Sequence, residues 1–527
     1  MRKVFLLSIS MLLTLSVSCN KEDKDMLAQL KSQNAELERS EKELSEASPV
    51  EPSDFIISID KDYYWVDAAS SVSAHYSINR PVSLEASAEH GWSVAVQPLS
   101  ETEGDITITA PDPASPGVIT LKAVDLKGNI AESMIQVFVR KPYNQVSSPR
   151  IEALAYNGLS EQLATPENYR KMAEAGITMV TVEGEEEIYG PGWRNHCRLA
   201  AEAGIKVVLF LGYTPERYAA DPEHFKGLDI LINETLDYPA ICAYQIIDEP
   251  STSEVPRLII EKNRIEELAP GRPIYINLHP SSVSQAGMGA TTYDQYVEFF
   301  ASNCQLDFIT FDQYPVFKRG VEDCWYYSLD VVSSTAKRHG IPFWAFVLSC
   351  EELSRERPSL ENIRLQGNMN LTYGAQCNQF FVWMATTGTN YAPIVRDGTY
   401  MPVYDECKEY NREMHNREFI FAGSDVHLVR HTGNNYYLHG SYLAQNDLPD
   451  AIKDISTGNS AAVSFIGNSG NEYVVICNKS WQEKLPVEVE FTREVYTIDR
   501  EGEFTSQQPG NTSFIIDEGD MLVIKWK

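Results

Sequence analysis

The sequence is short of positive charge. Of its 527 residues, 44 are Lys or Arg and 74 are Asp or Glu, so the formal net charge at pH 7 is −30. A field of this sign repels a phosphate backbone, and we therefore expect no nucleic-acid partner. The hydrophobic fraction of 43% and the charged fraction of 22% are ordinary for globular proteins. That composition excludes a wholly disordered chain, a collagen and a polytopic membrane protein.

Several motifs that mark cofactors or activated nucleophiles are also missing. The chain has no P-loop, no dinucleotide fingerprint and no nucleophile elbow. Its His, Asp and Glu residues form no cluster with the spacing of metal ligands, so we predict no metal and no cofactor. The nine cysteines include no CxxC pair. Outside Cys19 we expect buried free thiols, with disulfides as the alternative.

The first residues carry a targeting pattern. A basic start, a short apolar run and small residues mark residues 1–18 as a signal peptide. Cys19 directly after them resembles the acylated cysteine of a lipoprotein, although Ser16 stands where Leu is usual. Lys21, Glu22 and Asp23, a basic residue and two acids just after this cysteine, resemble the surface-export signal of Bacteroidetes lipoproteins. The resemblance implies a lipid anchor in the outer membrane and surface exposure; the alternative is an ordinary signal peptide with an incidental cysteine.

Composition and periodicity divide the rest of the chain into four segments. Residues 19–52 are polar and helical in composition, which predicts a spacer helix or, from leucines at seven-residue intervals, a short coiled coil. Residues 53–141 contain short alternating strands and predict an immunoglobulin-like β-sandwich. Residues 149–416 alternate strand-like and helix-like runs. Residues 417–527 predict a second β-sandwich, whose first strand would be the apolar run 418–421.

The alternating segment decides the fold class. Eight strand–helix units in succession predict a (β/α)8 TIM barrel. A doubly wound sheet is the alternative, but even spacing without a phosphate-binding fingerprint favours the barrel. We therefore expect a multidomain protein in which a barrel is flanked by two β-sandwiches.

In barrel enzymes the reacting groups lie at the carboxyl ends of the strands. The residues that follow the predicted strands are Asn157, Glu183, Tyr213, Asp248, Glu249, His279, Asp312, Tyr314, Glu351 and Trp383. Carboxylates mixed with aromatic side chains suit a sugar, because rings stack on C–H surfaces while carboxylates bind hydroxyls or transfer protons. The adjacent pair Asp248–Glu249 is the most informative, since two like charges keep one carboxyl protonated. The alternative is that Asp248 caps a helix or pairs with an Arg.

The pair also carries a family resemblance. Asp-Glu-Pro at residues 248–250, the strand-six run ending in Asp312 and Tyr314, and Trp383 at strand eight resemble barrel glycoside hydrolases over about residues 150–527. The resemblance implies that Glu249 is the acid/base. In the largest clan of these enzymes, Asn precedes that Glu and a nucleophilic Glu ends strand seven. Here Asp248 replaces the Asn.

The seventh strand departs further, because its end carries no Glu and Glu351 or Glu352 follows only two or three residues later. An adjacent Asp–Glu pair without a strand-seven nucleophile also resembles the substrate-assisted hexosaminidases, in which the Asp orients the sugar's acetamido group and the Glu is the acid. In that case Asp312, with Tyr314, would support the same sugar.

The remaining rim residues are predicted substrate contacts: Tyr213, His279, Trp383, Glu183 and Asn157. The predicted partner is an oligo- or polysaccharide. A non-catalytic glycan-binding lipoprotein on a degenerate barrel is the alternative, and a scaffold or adhesion module is a third.

Overall fold

The computed structural model describes residues 55–60, 63–67, 69–80, 83–88, 90–111, 117–125, 128–140, 150–184, 192–212, 222–352, 354–385, 391–433 and 442–527. The predicted signal peptide, Cys19 and the spacer to residue 52 lie outside the described residues. The chain divides into two compact units, Met1–Lys141 and Pro142–Lys527. The finer boundaries stated above stay predictions.

The described part of the first unit is a β-sandwich of eight strands. They are β1 (Ile57–Ile59), β2 (Tyr63–Asp67), β3 (Ser71–Ile78), β4 (Ser83–Ala88), β5 (Ser93–Pro98), β6 (Glu103–Thr109), β7 (Gly117–Val124) and β8 (Ile130–Arg140). One sheet has the order β1-β3-β6-β5 and the other β2-β8-β7-β4. Only the β2–β8 pair is parallel among the described strand pairs of this unit. Ile106 and Ile135, one from each sheet, share a single core, and the arrangement is that of immunoglobulin-like domains.

The second unit begins with a closed barrel of eight parallel strands in the order β9 to β14, β17 and β18, with β18 paired back to β9. These are β9 (Glu152–Ala155), β10 (Met179–Glu183), β11 (Lys206–Phe210), β12 (Ile241–Asp248), β13 (Ile274–Leu278), β14 (Ile309–Phe311), β17 (Phe343–Leu348) and β18 (Cys377–Phe381). A small hairpin, β15 (Val316–Phe317) with β16 (Gly320–Val321), follows β14. The predicted TIM barrel is confirmed.

Ten helices of the described residues surround or follow the barrel strands. They are α1 (Pro166–Glu174), α2 (Trp193–Ala203), α3 (Pro222–Thr235), α4 (Val255–Leu268), α5 (Gln285–Met288), α6 (Tyr293–Cys304), α7 (Cys324–His339), α8 (Leu360–Thr372), α9 (Pro402–Asn416) and α10 (Glu418–Phe421). Gly204 ends α2 and Gly340 ends α7 in the left-handed conformation, which a glycine adopts without a Cβ clash. Within the described chain, no helix combines the length and apolar character needed to cross a membrane.

The chain ends in a second sandwich. Its strands are β19 (Asp425–His431), β20 (Ile452–Thr457), β21 (Ala461–Asn468), β22 (Asn471–Asn478), β23 (Leu485–Phe491), β24 (Val495–Ile498), β25 (Phe504–Gln507), β26 (Gly510–Ile516) and β27 (Met521–Lys525). A six-stranded sheet, β19-β21-β22-β27-β24-β25, packs on a three-stranded sheet, β20-β23-β26, across one apolar core. The strand predicted at 418–421 is wrong: these residues form the helical turn α10, because a run of four apolar or amphipathic residues has no period that separates a strand from a helix.

Candidate active site

Strand β12 brings two acids to the mouth of the barrel. The strand is almost wholly buried up to Ile247 and ends at Asp248, so its apolar residues anchor the polar end. Glu249 continues the ladder, since its backbone N–H donates to the Asn277 carbonyl at 2.8 Å. Glu249 has φ +50°, a left-handed conformation that is costly for a residue with a long side chain. Such outliers cluster at functional sites, where the surrounding structure compensates for the strain.

Asp248 and Asp312 are held by one amide. Asn277, on the neighbouring strand β13, donates from Nδ2 to Asp248 Oδ1 at 2.9 Å and to Asp312 Oδ1 at 3.0 Å. Asp312 directly follows β14, and Asn277 is paired in register with both Asp248 and Thr310. Three consecutive parallel strands therefore place two carboxylates and their common donor at the same end of the barrel.

The environment of these two acids favours their protonated forms. Burial raises the pKa of Asp248 to about 6; the Asn277 hydrogen bond opposes the rise and the Glu249 charge adds to it. Burial likewise raises the pKa of Asp312 well above its usual range, with further contributions from the charges of Glu249 and Asp248. Because neighbouring carboxylates titrate together, Asp248 and Asp312 are best treated as one unit whose proton affinity is raised.

Glu249 lies beside His279. The side chain of Glu249 is 39% exposed, and its Oε1 is 3.4 Å from Nδ1 of the 14%-exposed His279. Tyr296 fixes this corner: its hydroxyl accepts from the His279 backbone N–H at 3.2 Å and donates to the Pro250 carbonyl at 2.7 Å. All three acids of the cluster are partly exposed, and Glu249 is the one whose carboxyl lies against a histidine.

Two tyrosines, Tyr156 and Tyr314, lie next to the acids. Burial raises the pKa of Tyr156, and the nearby charge of Asp248 raises it further. Burial also raises the pKa of Tyr314, with smaller contributions from the charges of Asp312 and Asp248. The Tyr156 hydroxyl accepts from Gln245 Nε2 at 2.7 Å. The ring of Tyr314 stacks on Phe381 with centroids 5.0 Å apart. Asp248, Glu249, His279, Asp312 and Tyr314, all predicted site residues, are therefore brought together.

Two other predicted residues lie elsewhere. Glu351 is exposed, and its carboxylate pairs with Arg357 at 3.1 Å. The end of its strand is closed by Ser349, a fully buried residue whose hydroxyl donates to the Val382 carbonyl. Trp383 is also fully buried, with its ring against Phe380 and Tyr404. A side chain with no exposed surface offers no face for a sugar, so Trp383 is part of the packing between the barrel and α9.

Of the remaining predicted substrate contacts, two lie at the rim of the barrel and one lies outside the described residues. Glu183 is the last residue of β10 and is half-buried. Asn157 follows β9 with φ +47°, and its carbonyl accepts from the Met384 N–H at 3.3 Å. Tyr213 lies outside the described residues. The structure thus places Asn157 and Glu183 at the carboxyl ends of adjacent strands.

Asn277 is the residue that the sequence reasoning missed. Reading only the residues after each strand passes over an amide inside one. The signal was present, because Asn277 is the one strongly polar side chain in the strand Ile274–Leu278, and a buried polar group needs partners. Within the described residues, no group of three or more His, Cys, Asp or Glu side chains could hold a metal ion.

No family model and no curated protein matches the chain. It is similar to solved structures of glycoside hydrolases. A GH42 β-galactosidase from G. stearothermophilus is 10% identical, with 73% of this chain and 99% of that chain covered and a TM-score of 0.48. A Bacteroides ovatus GH5 xyloglucanase is also 10% identical; the match covers 67% of this chain and 98% of that chain, with a TM-score of 0.32. A GH99 endo-alpha-mannosidase from Bacteroides thetaiotaomicron is 14% identical; the match covers 48% of this chain and 80% of that chain, with a TM-score of 0.35. At these identities the likeness concerns the fold alone.

Proposed function

We propose that the protein is a glycoside hydrolase that cleaves glycosidic bonds of an oligo- or polysaccharide. One observation carries the proposal: Asp248 and Glu249 end strand four of a closed parallel barrel, and Asp312 is held against Asp248 through a single amide. Paired carboxyls, one of them protonated, are what acid-catalysed departure of a sugar requires. Tyrosines beside them supply apolar faces and hydroxyls for the ring.

In the proposed reaction, Glu249 is the general acid and base. Its side chain is 39% exposed and lies beside His279, and it protonates the glycosidic oxygen as the C–O bond breaks. The resulting carboxylate then accepts a proton from the water that completes hydrolysis. Asp248, held with Asp312, orients and stabilises the group that attacks the anomeric carbon; with an N-acetyl sugar that group is the sugar's own acetamido oxygen.

The position of Glu351 favours this assignment over a conventional strand-seven nucleophile. Its carboxylate is engaged with Arg357, and Glu352 is engaged with Arg355 at 2.7 Å. Asp312 is therefore the better candidate for the second carboxylate, because it shares its hydrogen-bond donor with Asp248.

The test of the proposal uses purified protein and aryl glycosides of several sugars, including N-acetylhexosamines, together with soluble glycans. Glu249→Gln keeps size and hydrogen bonding but removes the acid, so turnover of a substrate with a poor leaving group should fall about 10²–10⁴-fold. A dinitrophenyl glycoside needs little protonation, so its bond-breaking step should suffer less.

A remote carboxylate provides the matched control. Glu490→Gln alters an exposed glutamate of the C-terminal sandwich that pairs with Lys453, and it should leave turnover unchanged. Equal, small losses for both variants on both substrates would show that Glu249 is not the acid. Loss of activity in Glu351→Gln with Asp248→Asn tolerated would instead restore the strand-seven nucleophile.

A non-catalytic glycan-binding protein is the second candidate. The observation that favours it is the same strand-seven end, where Ser349 and Cys350 are buried and no carboxylate takes the nucleophile's place. Such a protein would bind glycans in calorimetry but hydrolyse none of the panel, and Glu249→Gln would change affinity rather than turnover.

We also propose that the protein is a lipoprotein anchored through Cys19 in the outer membrane and exposed at the cell surface. The support is the sequence pattern of residues 1–23. Cys19→Ala should move the protein from the membrane fraction to the soluble fraction, and unchanged membrane fractionation would contradict the anchor. Alanines at 21–23 should keep the anchor but protect the protein from protease added to whole cells.

A further inference from the structure

Asn277 occupies a position that neither a simple structural amide nor a substrate contact explains. It is 2% exposed, so it cannot be the main surface that a sugar meets. Both protons of its Nδ2 are used, one on Asp248 and one on Asp312. An amide NH2 has two donors and no more, and here both are spent on the acids of one cluster.

The orientation of this amide is set from the far side. Asn277 Oδ1 accepts from Thr310 Oγ1 at 3.2 Å, and Thr310 Oγ1 accepts from Gln379 Nε2 at 2.7 Å. Gln379 Oε1 in turn accepts from the Tyr275 hydroxyl at 2.8 Å. Reversing the Asn277 amide would turn its oxygen toward two carboxylates and remove the acceptor that the Thr310 hydroxyl now uses, so the acids and the hydroxyl together favour one orientation.

The link matters because of what Asp312 lacks. Asp312 makes no ion pair with a Lys or Arg among the described residues, and its side-chain hydrogen bond comes from Asn277. Asn277 is a neutral donor that serves both acids. It therefore stabilises the pair better when one acid is ionised than when both acids are ionised. It also fixes the distance between the acids, because neither can turn away without breaking its bond to the common nitrogen.

We propose that Asn277 is a positioning residue: its amide clamps Asp248 and Asp312 together so that the two act as one unit beside Glu249. The role of that unit in catalysis rests on the proposed function. The clamp itself does not, and it can be tested without a substrate.

The experiment is an infrared titration of full-length protein labelled with ¹³C-aspartate, following the C=O band of protonated carboxyls against pH. Asp312→Asn and Asp248→Asn assign the bands. Loss of a hydrogen bond to a charged group is worth about 1.5–3 kcal/mol, so in Asn277→Ala the bands should titrate about one to two pH units higher. Asn378→Ala is the matched control, because Asn378 is a buried strand asparagine that bonds to Tyr410 and Asn370 instead; it should titrate as the wild type does.

Unchanged titration in a folded Asn277→Ala would overturn the proposal. If that variant does not fold, Asn277→Asp keeps the shape and puts a third carboxyl in the clamp, so one additional proton should be retained above pH 6; no additional proton would also overturn it. In the wild type, hydrolysis of the glycoside panel is measured separately. Shifted bands in Asn277→Ala without any hydrolysis by the wild type would support the clamp and refute the proposed function. Hydrolysis by the wild type with unshifted bands in the variant would support the proposed function and refute the clamp.

When a substrate is found, Asn277→Ala should lower kcat and move the pH profile, with KM little changed. A merely structural asparagine would lower the amount of folded protein but leave the profile where it was.

Discussion

Two acids in the same unit of this protein have opposite surroundings. Glu413, on α9, has a side chain that is 1% exposed, and the guanidinium of Arg364 binds both of its carboxylate oxygens. Asp312, at the mouth of the barrel, has an amide as its side-chain partner and other acids as its neighbours. Both lie on or beside the barrel, yet one has a cation and the other, within the described residues, has none.

The contrast separates an acid that holds the fold together from one that is arranged for chemistry. Around Glu413 the charges continue into the C-terminal sandwich: Arg500 donates to Asp520 at 2.8 Å, and Arg417 lies 3.6 Å from Asp520. Opposite charges offset the cost of burial there. At the barrel mouth the cost is not offset, which raises proton affinity and is typical of sites that trade stability for function.

The largest effect should come from the acid pair itself. We expect Asp248→Asn to lower hydrolysis of N-acetyl glycosides by about 10²-fold or more, because the amide cannot take up the charge that develops on the attacking group. Steady-state kinetics on N-acetyl and plain glycosides measure it. Retained activity would mean that Asp248 plays the part of the Asn found in the large clan, and that the nucleophile lies elsewhere.

At the buried ion pair of Glu413 and Arg364, the large effect should be on the free energy of unfolding. Glu413→Ala leaves Arg364 buried without its partner, which costs about 3–5 kcal/mol of unfolding free energy. Denaturant unfolding followed by circular dichroism measures it. The control is Glu409→Ala on the same helix, whose exposed pair with Arg412 should contribute less than about 1 kcal/mol. Equal effects of the two changes would show that burial does not distinguish them.

Replacing Asp312 at the barrel mouth should instead stabilise the fold. The pKa of Asp312 is raised in the folded state, so as pH rises past about 4 the unfolded chain releases a proton that the folded chain keeps, and stability falls. Asp312→Asn removes this penalty. We expect the variant to unfold at higher denaturant than the wild type at pH 7 and to lose the advantage below about pH 4.

The same measurement on Asp248→Asn should show the pH above which the stability difference between variant and wild type stops growing. With the folded-state pKa of Asp248 at about 6, the advantage of the variant should grow between about pH 4 and 6 and then level off. Buried His196, whose pKa is lowered to about 4, acts in the opposite sense over part of this range. The difference between variant and wild type cancels that contribution, and a flat difference would contradict the raised pKa.

The smallest effect belongs to an exposed ion pair far from both regions. Lys453→Ala breaks the 2.7 Å contact with Glu490 on the C-terminal sandwich. Solvent screens such a pair, so the midpoint of denaturant unfolding should hardly change. A larger loss would mean that ion pairs in this protein stabilise irrespective of burial, and the contrast between Glu413 and Asp312 would lose its meaning.

Much of the fold was readable from the chain because local pattern determines it. Strands of period two with turns between them predict a sandwich, and eight alternating strand–helix units predict a barrel. The position of Asp248 and Glu249 was readable for the same reason, since an apolar strand followed by Pro250 ends at a known edge of a barrel. The run 418–421 was misassigned because four residues are too few to show a period.

What the sequence alone determined, then, is which elements form and which acids reach the barrel mouth. Only the tertiary structure decided what lies beside each of them. Asn277 meets Asp312 through strand register, 35 residues along the chain, and Trp383 is buried because α9 packs over it. Glu351 is paired with Arg357 at the protein surface. Proton affinity and accessibility depend on neighbours in space, and the closure of the barrel brings together neighbours that no local pattern in the sequence records.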